Sequence, residues 1–225
     1  MVRLVLFDID GTLIRTGGAG VRAFERTAAT EFNRPNGTSH MSFAGRTDSS
    51  LVREFFTKYD IEPSATNFQR FFDRYVFFLD HLLPLSTGAP CAEVREFLKA
   101  LEALPEPPAL GLLTGNIRLG AEIKLRHFGL WEVFVTGAFG DDHESRDELA
   151  AIARERGRRI LGRHLDGSEI LVVGDTPHDI RCGKAIGARV LAVGTGGAAL
   201  HQLQPHDPDW LVEDLRQVPA EQVWR

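Results

Sequence analysis

One device recurs along this chain and limits what it can fold into. Short, nearly unbroken apolar runs end abruptly on an acid, a threonine or a glycine. VRLVLF (2–7) runs into Asp8, and LGLLT (110–114), VFVT (133–136), ILVVG (170–174) and VLAV (190–193) repeat the pattern, with WLV (210–212) as a weaker copy. Such runs lack the apolar–polar alternation of a half-exposed strand, so they read as strands covered on both faces, the condition of a parallel sheet between helices. Helical spacing fills the gaps between the later runs. Residues 92–104 place Val94, Phe97, Leu98 and Leu101 on one face, residues 119–128 stop at Gly129, and residues 147–161 and 178–186 follow, the last ending at Gly187. Strand and helix in alternation predict an α/β fold, a doubly wound, Rossmann-like parallel-sheet core.

Residues 17–85 interrupt this alternation without a β-like run. Residues 20–32, 49–60 and 67–83 have helical spacing, and the third carries five phenylalanines and Tyr75. The simplest account is an inserted α-helical cap over 17–85, with 1–16 and 86–225 forming the core. Its exits, 14–18 and 84–90, contain glycine or proline and suit hinges. Aromatics at helical spacing pack inward, so the stripe reads as the insert's own core and not as a base-stacking surface.

Composition removes several classes. Of 225 residues, 43% are hydrophobic and 25% charged, with 26 Lys+Arg against 31 Asp+Glu, a net charge of −5. There is no basic excess to neutralise phosphates, so no nucleic acid is expected as a partner. No apolar run approaches a membrane span of roughly 18 residues, and the N-terminal run is too short for a signal-peptide core. Cys91 and Cys182 stand in unrelated contexts, the pattern of two free thiols in a reducing cytoplasm. A monomer or homodimer is expected.

The chemistry-bearing residues lie just past the apolar runs. Asp8-Ile9-Asp10-Gly11-Thr12-Leu13 leaves the first, placing two carboxylates at a strand's C-terminal end, where open α/β sheets bind ligands. Close carboxylates ask for a cation, and oxygen donors suit Mg²⁺. Thr114-Gly115-Asn116 leaves the second run with a hydroxyl and free N–H groups that suit phosphate oxygens, although a plain N-capped turn has the same composition. Gly174-Asp175-Thr176-Pro177-His178-Asp179 leaves the fourth run, with Asp175 placed for a metal and Asp179 for a water-mediated ligand or a helix cap. His178 reads as a solvated loop residue.

Together the three stations resemble the haloacid dehalogenase superfamily of phosphotransferases, with a helical cap at its first insertion position, and most closely its phosphoglycolate-phosphatase-like hydrolases. The resemblance spans essentially the whole chain. It implies Asp8 as nucleophile and Asp10 as general acid and base. It also implies Mg²⁺ held by Asp8, Asp10 (through its carbonyl), Asp175 and Asp179, with Thr114, Gly115 and Asn116 around the phosphate. The family's usual lysine before the fourth-motif strand is missing from 139–147. Arg146 is the basic residue nearest its place and is preferred to Lys124, whose plainer reading is a solvated helix residue. In Gly45-Arg46-Thr47-Asp48, Arg46 is the expected partner of a substrate carboxylate, and Asp48 the preferred cap of the next helix.

The resemblance implies a Mg²⁺-dependent phosphatase acting on a small phosphomonoester such as phosphoglycolate, through an aspartyl-phosphate. A sugar-phosphate mutase would use the same motif residues. A phosphonate hydrolase would need a Schiff-base lysine, for which Lys58 is the insert's only candidate. A non-catalytic binding module would have no use for all four acids.

Overall fold

The computed structural model describes residues 1–225. Strand β1 (Leu4–Phe7) is followed by a two-residue strand, β2 (Ile14–Arg15), then by helices α1 (Ala19–Glu31), α2 (Asp48–Lys58) and α3 (Ala65–Leu82). After β3 (Ala89–Pro90) the chain alternates through α4 (Val94–Glu102), β4 (Ala109–Leu113), α5 (Arg118–His127), β5 (Thr136–Ala138), α6 (Arg146–Leu161), β6 (Ile170–Gly174), α7 (Pro177–Ala185) and β7 (Arg189–Val193). It closes with α8 (Leu200–Leu203), β8 (Trp210–Val212) and α9 (Ala220–Trp224).

Six strands form one parallel sheet in the order β5-β4-β1-β6-β7-β8. All four residues of β1 are buried, and alternate side chains enter two different cores. Val5 and Phe7 pack with α4 and α5 through Phe97, Leu101, Ala121 and Leu125. Leu4 and Leu6 pack with α6 and α7 through Leu149, Ala153 and Ile180. The sheet is therefore doubly wound, as the unalternating apolar runs require. From β1 the chain goes outward to β4 and β5, then returns to β6 on the other side of β1. The C-terminal end of β1 thus lies at the topological switch point, where ligands of such sheets bind.

One strand sits away from its expected place. Residues 131–133 form a 3-10 turn and β5 begins at Thr136. Phe134 is spent on the face of the sheet, its ring 6.0 Å from that of Phe7, while Val135 is exposed. The small residues Gly137 and Ala138 make the pairing with Leu112 and Leu113. Apolar character here marked packing against the sheet, not membership of it.

Helices α1, α2 and α3 make a third core from Phe24, Phe55, Phe56, Phe71, Tyr75 and Leu79, with Ile117 joining from the start of α5. The aromatic stripe is chiefly this core, although Phe77 points outward. The entry and exit of the helical segment are tied together, since β2 pairs antiparallel with β3. Gly17 and Gly18, both at positive φ, follow this ribbon directly. No helix is long and apolar enough to cross a membrane.

Phe71 is fully buried, with the rings of Phe24, Phe32, Phe55 and Phe56 around it. Phe71→Ala should lower unfolding stability by about 3–5 kcal/mol in chemical denaturation, the cost of an unfilled aromatic site. A loss under about 1 kcal/mol would mean that the helical segment adds little to cooperative stability.

Candidate active site

The residues singled out in the sequence meet at the C-terminal end of β1, beneath the helical segment. Asp8, Asp175 and Asp179, all buried, place carboxylate oxygens within 4.8 Å of one another. Burial first, and mutual repulsion second, hold Asp8 and Asp175 well above the usual carboxylate range, to about 7 and about 8. For Asp8 the Arg146 guanidinium opposes the shift, and a backbone N–H does so more weakly. Three crowded oxygen donors with so little positive charge fit a hard divalent cation.

Each acid is held differently. Asp175 accepts from Thr12 Oγ1 and from the Gly197 N–H, both at 3.0 Å. Asp179 Oδ2 accepts from the backbone N–H of Thr176 at 3.0 Å and its hydroxyl at 2.6 Å, closing a capping box on α7. Its Oδ1 pairs with Arg146. With both oxygens engaged, Asp179 orients this loop. The Asp10 carboxylate stands outside the group. Its Oδ2 accepts from Lys124 Nζ at 2.6 Å and Asn116 Nδ2 at 2.8 Å.

Both competing basic residues are present. The Arg146 side chain is 4% exposed and lies 3.5 Å from Asp8. Lys124 is equally buried and bonds Asp10 and Asn116, so its reading as a solvated helix residue is corrected. Helix α5 carries Lys124 inward because α3 packs on its outer side. Thr114 is fully buried and its hydroxyl accepts from Asn116.

The stretch from Gly45 to Ser49 lies directly on the core. A Cβ on Gly115 would stand 2.1 Å from the Arg46 carbonyl oxygen, so only glycine permits this approach. Asp48 N–H donates to the Gly115 carbonyl at 2.7 Å, and Asp48 Oδ2 accepts from the Ile117 N–H at 2.9 Å. Thr47 and Ser49 hydroxyls donate to the carbonyls of Glu144 and Gly140. The cap of α2 is Thr47, whose hydroxyl accepts from Ser50 N–H at 3.2 Å. Asp48 instead serves the first turn of α5, across the interface. His178 is also corrected from a solvated residue: a Cβ on Gly45 would lie 2.6 Å from its ring.

Beneath this contact lies a cavity of about 470 Å³ lined by Asp8, Asp10, Arg15, Arg46, Tyr75 and Lys124, among others. Arg46 is paired with Glu54. Lys58 is exposed at the end of α2 and does not line the cavity, which removes the Schiff-base lysine a phosphonate hydrolase would need.

Sequence reasoning missed the loop after β7. A Cβ on Gly196 would fall 1.6 Å from Asp175 Oδ2, and Gly197 donates to that same oxygen. The signal was Gly194-Thr195-Gly196-Gly197, directly after an apolar run. Thr12, inside the motif that follows β1, is a second such residue, its hydroxyl donating to Asp175.

Comparisons with known proteins agree with this architecture. The family model for haloacid dehalogenase-like hydrolases matches residues 5–193. A pyrophosphatase PpaX of Halalkalibacterium halodurans is 27% identical over 225 residues, covering 95% of this chain and 94% of that protein. The phosphoglycolate phosphatase of Neisseria meningitidis is 26% identical over 223 residues, covering 96% and 92%. Among solved structures, a predicted phosphoglycolate phosphatase from Haemophilus somnus superposes with a TM-score of 0.72 at 21% identity, covering 95% and 94%. CbbY from Rhodobacter sphaeroides, in complex with phosphate, gives 0.71 at 18%, covering 95% of each chain.

The raised Asp8 and Asp175 values predict a pH dependence without metal. A carboxylate that holds its proton more tightly when folded stabilises fully below its unfolded value of 3.8, and that contribution disappears as pH rises through about 7 and about 8. His178, lowered mainly by burial, has the opposite sign, but only below its ordinary 6.5. Melting temperature in a chelator should therefore fall between about pH 6.5 and 8.5, and added Mg²⁺ should raise it more at the alkaline end. Equal Mg²⁺ effects at both ends would argue against a site built on these acids.

Proposed function

The chain belongs to the haloacid dehalogenase-like hydrolase family, and we propose that it is a Mg²⁺-dependent phosphatase of small phosphomonoesters working through an aspartyl-phosphate on Asp8. The observation that carries this reading is the convergence of two charge systems under one cavity. Asp8, Asp175 and Asp179 gather with Arg146, while Asp10 stands apart with Lys124. Nucleophile and acid/base thus occupy different electrostatic surroundings, as the two jobs require.

In this reading Asp8, Asp175 and the Asp10 carbonyl would hold Mg²⁺, with Asp179 steadying the loop. The ion's contribution would be to offset the charge between an anionic nucleophile and an anionic phosphate. An Asp8 oxygen attacks phosphorus, and the bond from phosphorus to the leaving oxygen breaks. Asp10 gives that oxygen a proton, then takes one from the water that cleaves the aspartyl-phosphate. Arg146, 3.5 Å from Asp8, would meet charge on the transferring group. The Thr114 hydroxyl and the Gly115 N–H would hold phosphate oxygens, whereas Asn116, expected there from the sequence, spends its amides on Thr114 and Asp10.

Residues 17–85 would act as a cap, turning on the β2–β3 ribbon and its adjoining glycines. The cavity beneath it admits a small substrate. The named activities of the relatives, on pyrophosphate and on phosphoglycolate, share a second anionic group beside the one attacked. Arg46 would meet that group by exchanging Glu54 for it. Two buried free cysteines suit a reducing cytoplasm.

With Mg²⁺ and a chromogenic aryl phosphate, Asp8→Asn should lose at least about three orders of magnitude in kcat at nearly unchanged stability. Full activity in that variant would overturn the covalent mechanism. Arg46→Ala should raise KM for phosphoglycolate about tenfold more than for a neutral-tailed sugar phosphate, and equal effects would remove Arg46 as the anion reader.

A further inference from the structure

We infer that Lys124 is a positioning residue for Asp10, and that with Asn116 it anchors one carboxylate oxygen and leaves the other for the leaving group. The inference rests on Asp10 being the acid and base of the reaction proposed above. Lys124 Nζ is 2.6 Å from Asp10 Oδ2 and 2.5 Å from Asn116 Oδ1. The Asn116 amide nitrogen donates to the same Asp10 Oδ2 at 2.8 Å, and also to Thr114 Oγ1 at 2.8 Å. Two N–H donors therefore converge on one oxygen of a carboxylate that is otherwise 41% exposed. With Oδ2 held by both donors the carboxylate cannot turn freely, and Oδ1 is the oxygen left for the leaving group.

The surroundings separate this role from phosphate binding. Arg146 is the cation that approaches Asp8, at 3.5 Å, whereas Lys124 bonds Asp10 and Asn116. Lys124 is enclosed from the helical side as well. A Cβ on Gly20 of α1 would lie 3.5 Å from its ammonium and 3.7 Å from the hydroxyl of Tyr75 on α3. The ammonium is thus confined between the helical segment and Asp10, which restricts the ways it can turn.

The dependence of rate on leaving group separates the alternatives. kcat/KM, which covers events up to phosphoryl transfer to Asp8, is compared with Mg²⁺ for an aryl phosphate and an alkyl phosphate. The departing phenolate needs little protonation, whereas the alkoxide needs it fully. Asp10→Asn is the reference and should lose far more on the alkyl ester. Lys124→Met should show the same split, about 100-fold on the alkyl ester against about fivefold or less on the aryl ester. Lys124→Gln, which keeps one donor, should fall between and serves if the methionine variant does not fold. Equal losses on both esters for the Lys124 variants, with the split kept in Asp10→Asn, would make Lys124 a phosphate binder or a structural residue and overturn the inference. No split in Asp10→Asn would remove the acid assignment and the inference with it, while Asp8→Asn would still report on the covalent step.

Discussion

The structure depends on how negative charge is held at one end of a buried sheet. Asp8, Asp175 and Asp179 crowd together in surroundings that give them little water. Like charges this close are tolerated only with protons, a guanidinium or a cation among them. Arg146 supplies part of the compensation and Asp179 takes most of it. The remainder falls on Asp8 and Asp175, an arrangement that would suit a hard cation. The same requirement explains the glycines around it: Gly11 and Gly196 leave space for the Asp175 carboxylate that any side chain would fill.

The second cation belongs to a different network. Lys124, Asn116 and Thr114 form a chain of hydrogen bonds that ends on Asp10, separate from the pair of Arg146 with Asp8 and Asp179. Arg146 and Lys124 therefore do not compete for one basic role. In the proposed mechanism Asp8 and Asp10 have different tasks, and each lies beside one of the two cations.

The helical segment joins the site through backbone as much as side chains. Gly115 lies against the Arg46 carbonyl, and a Cβ on Gly140 would meet the Gly115 oxygen at 2.0 Å, so three loops touch where no Cβ could intervene. Asp48 adds a carboxylate from α2 to the start of α5, and burial pushes its pKa up to about 6 against the opposing pull of Lys124. Any movement of the helices is therefore felt at Thr114–Asn116.

Much of this was legible in the sequence because it depends on local patterning. Most of the unalternating apolar runs are strands covered twice, and the acids and glycines that end them lie along one rim of the sheet. Those signals determined the doubly wound core, the helical interruption and the residues of the three motifs. They misplaced β5, because the apolar Phe134 packs on the sheet without pairing in it. Tertiary structure alone decided which side chains share a charge. Lys124 is more than 100 residues from Asp10 in the chain, and on helical periodicity it looks like a surface residue. It became an inner residue because α1 and α3 cover it, a contact between distant segments that no local pattern encodes.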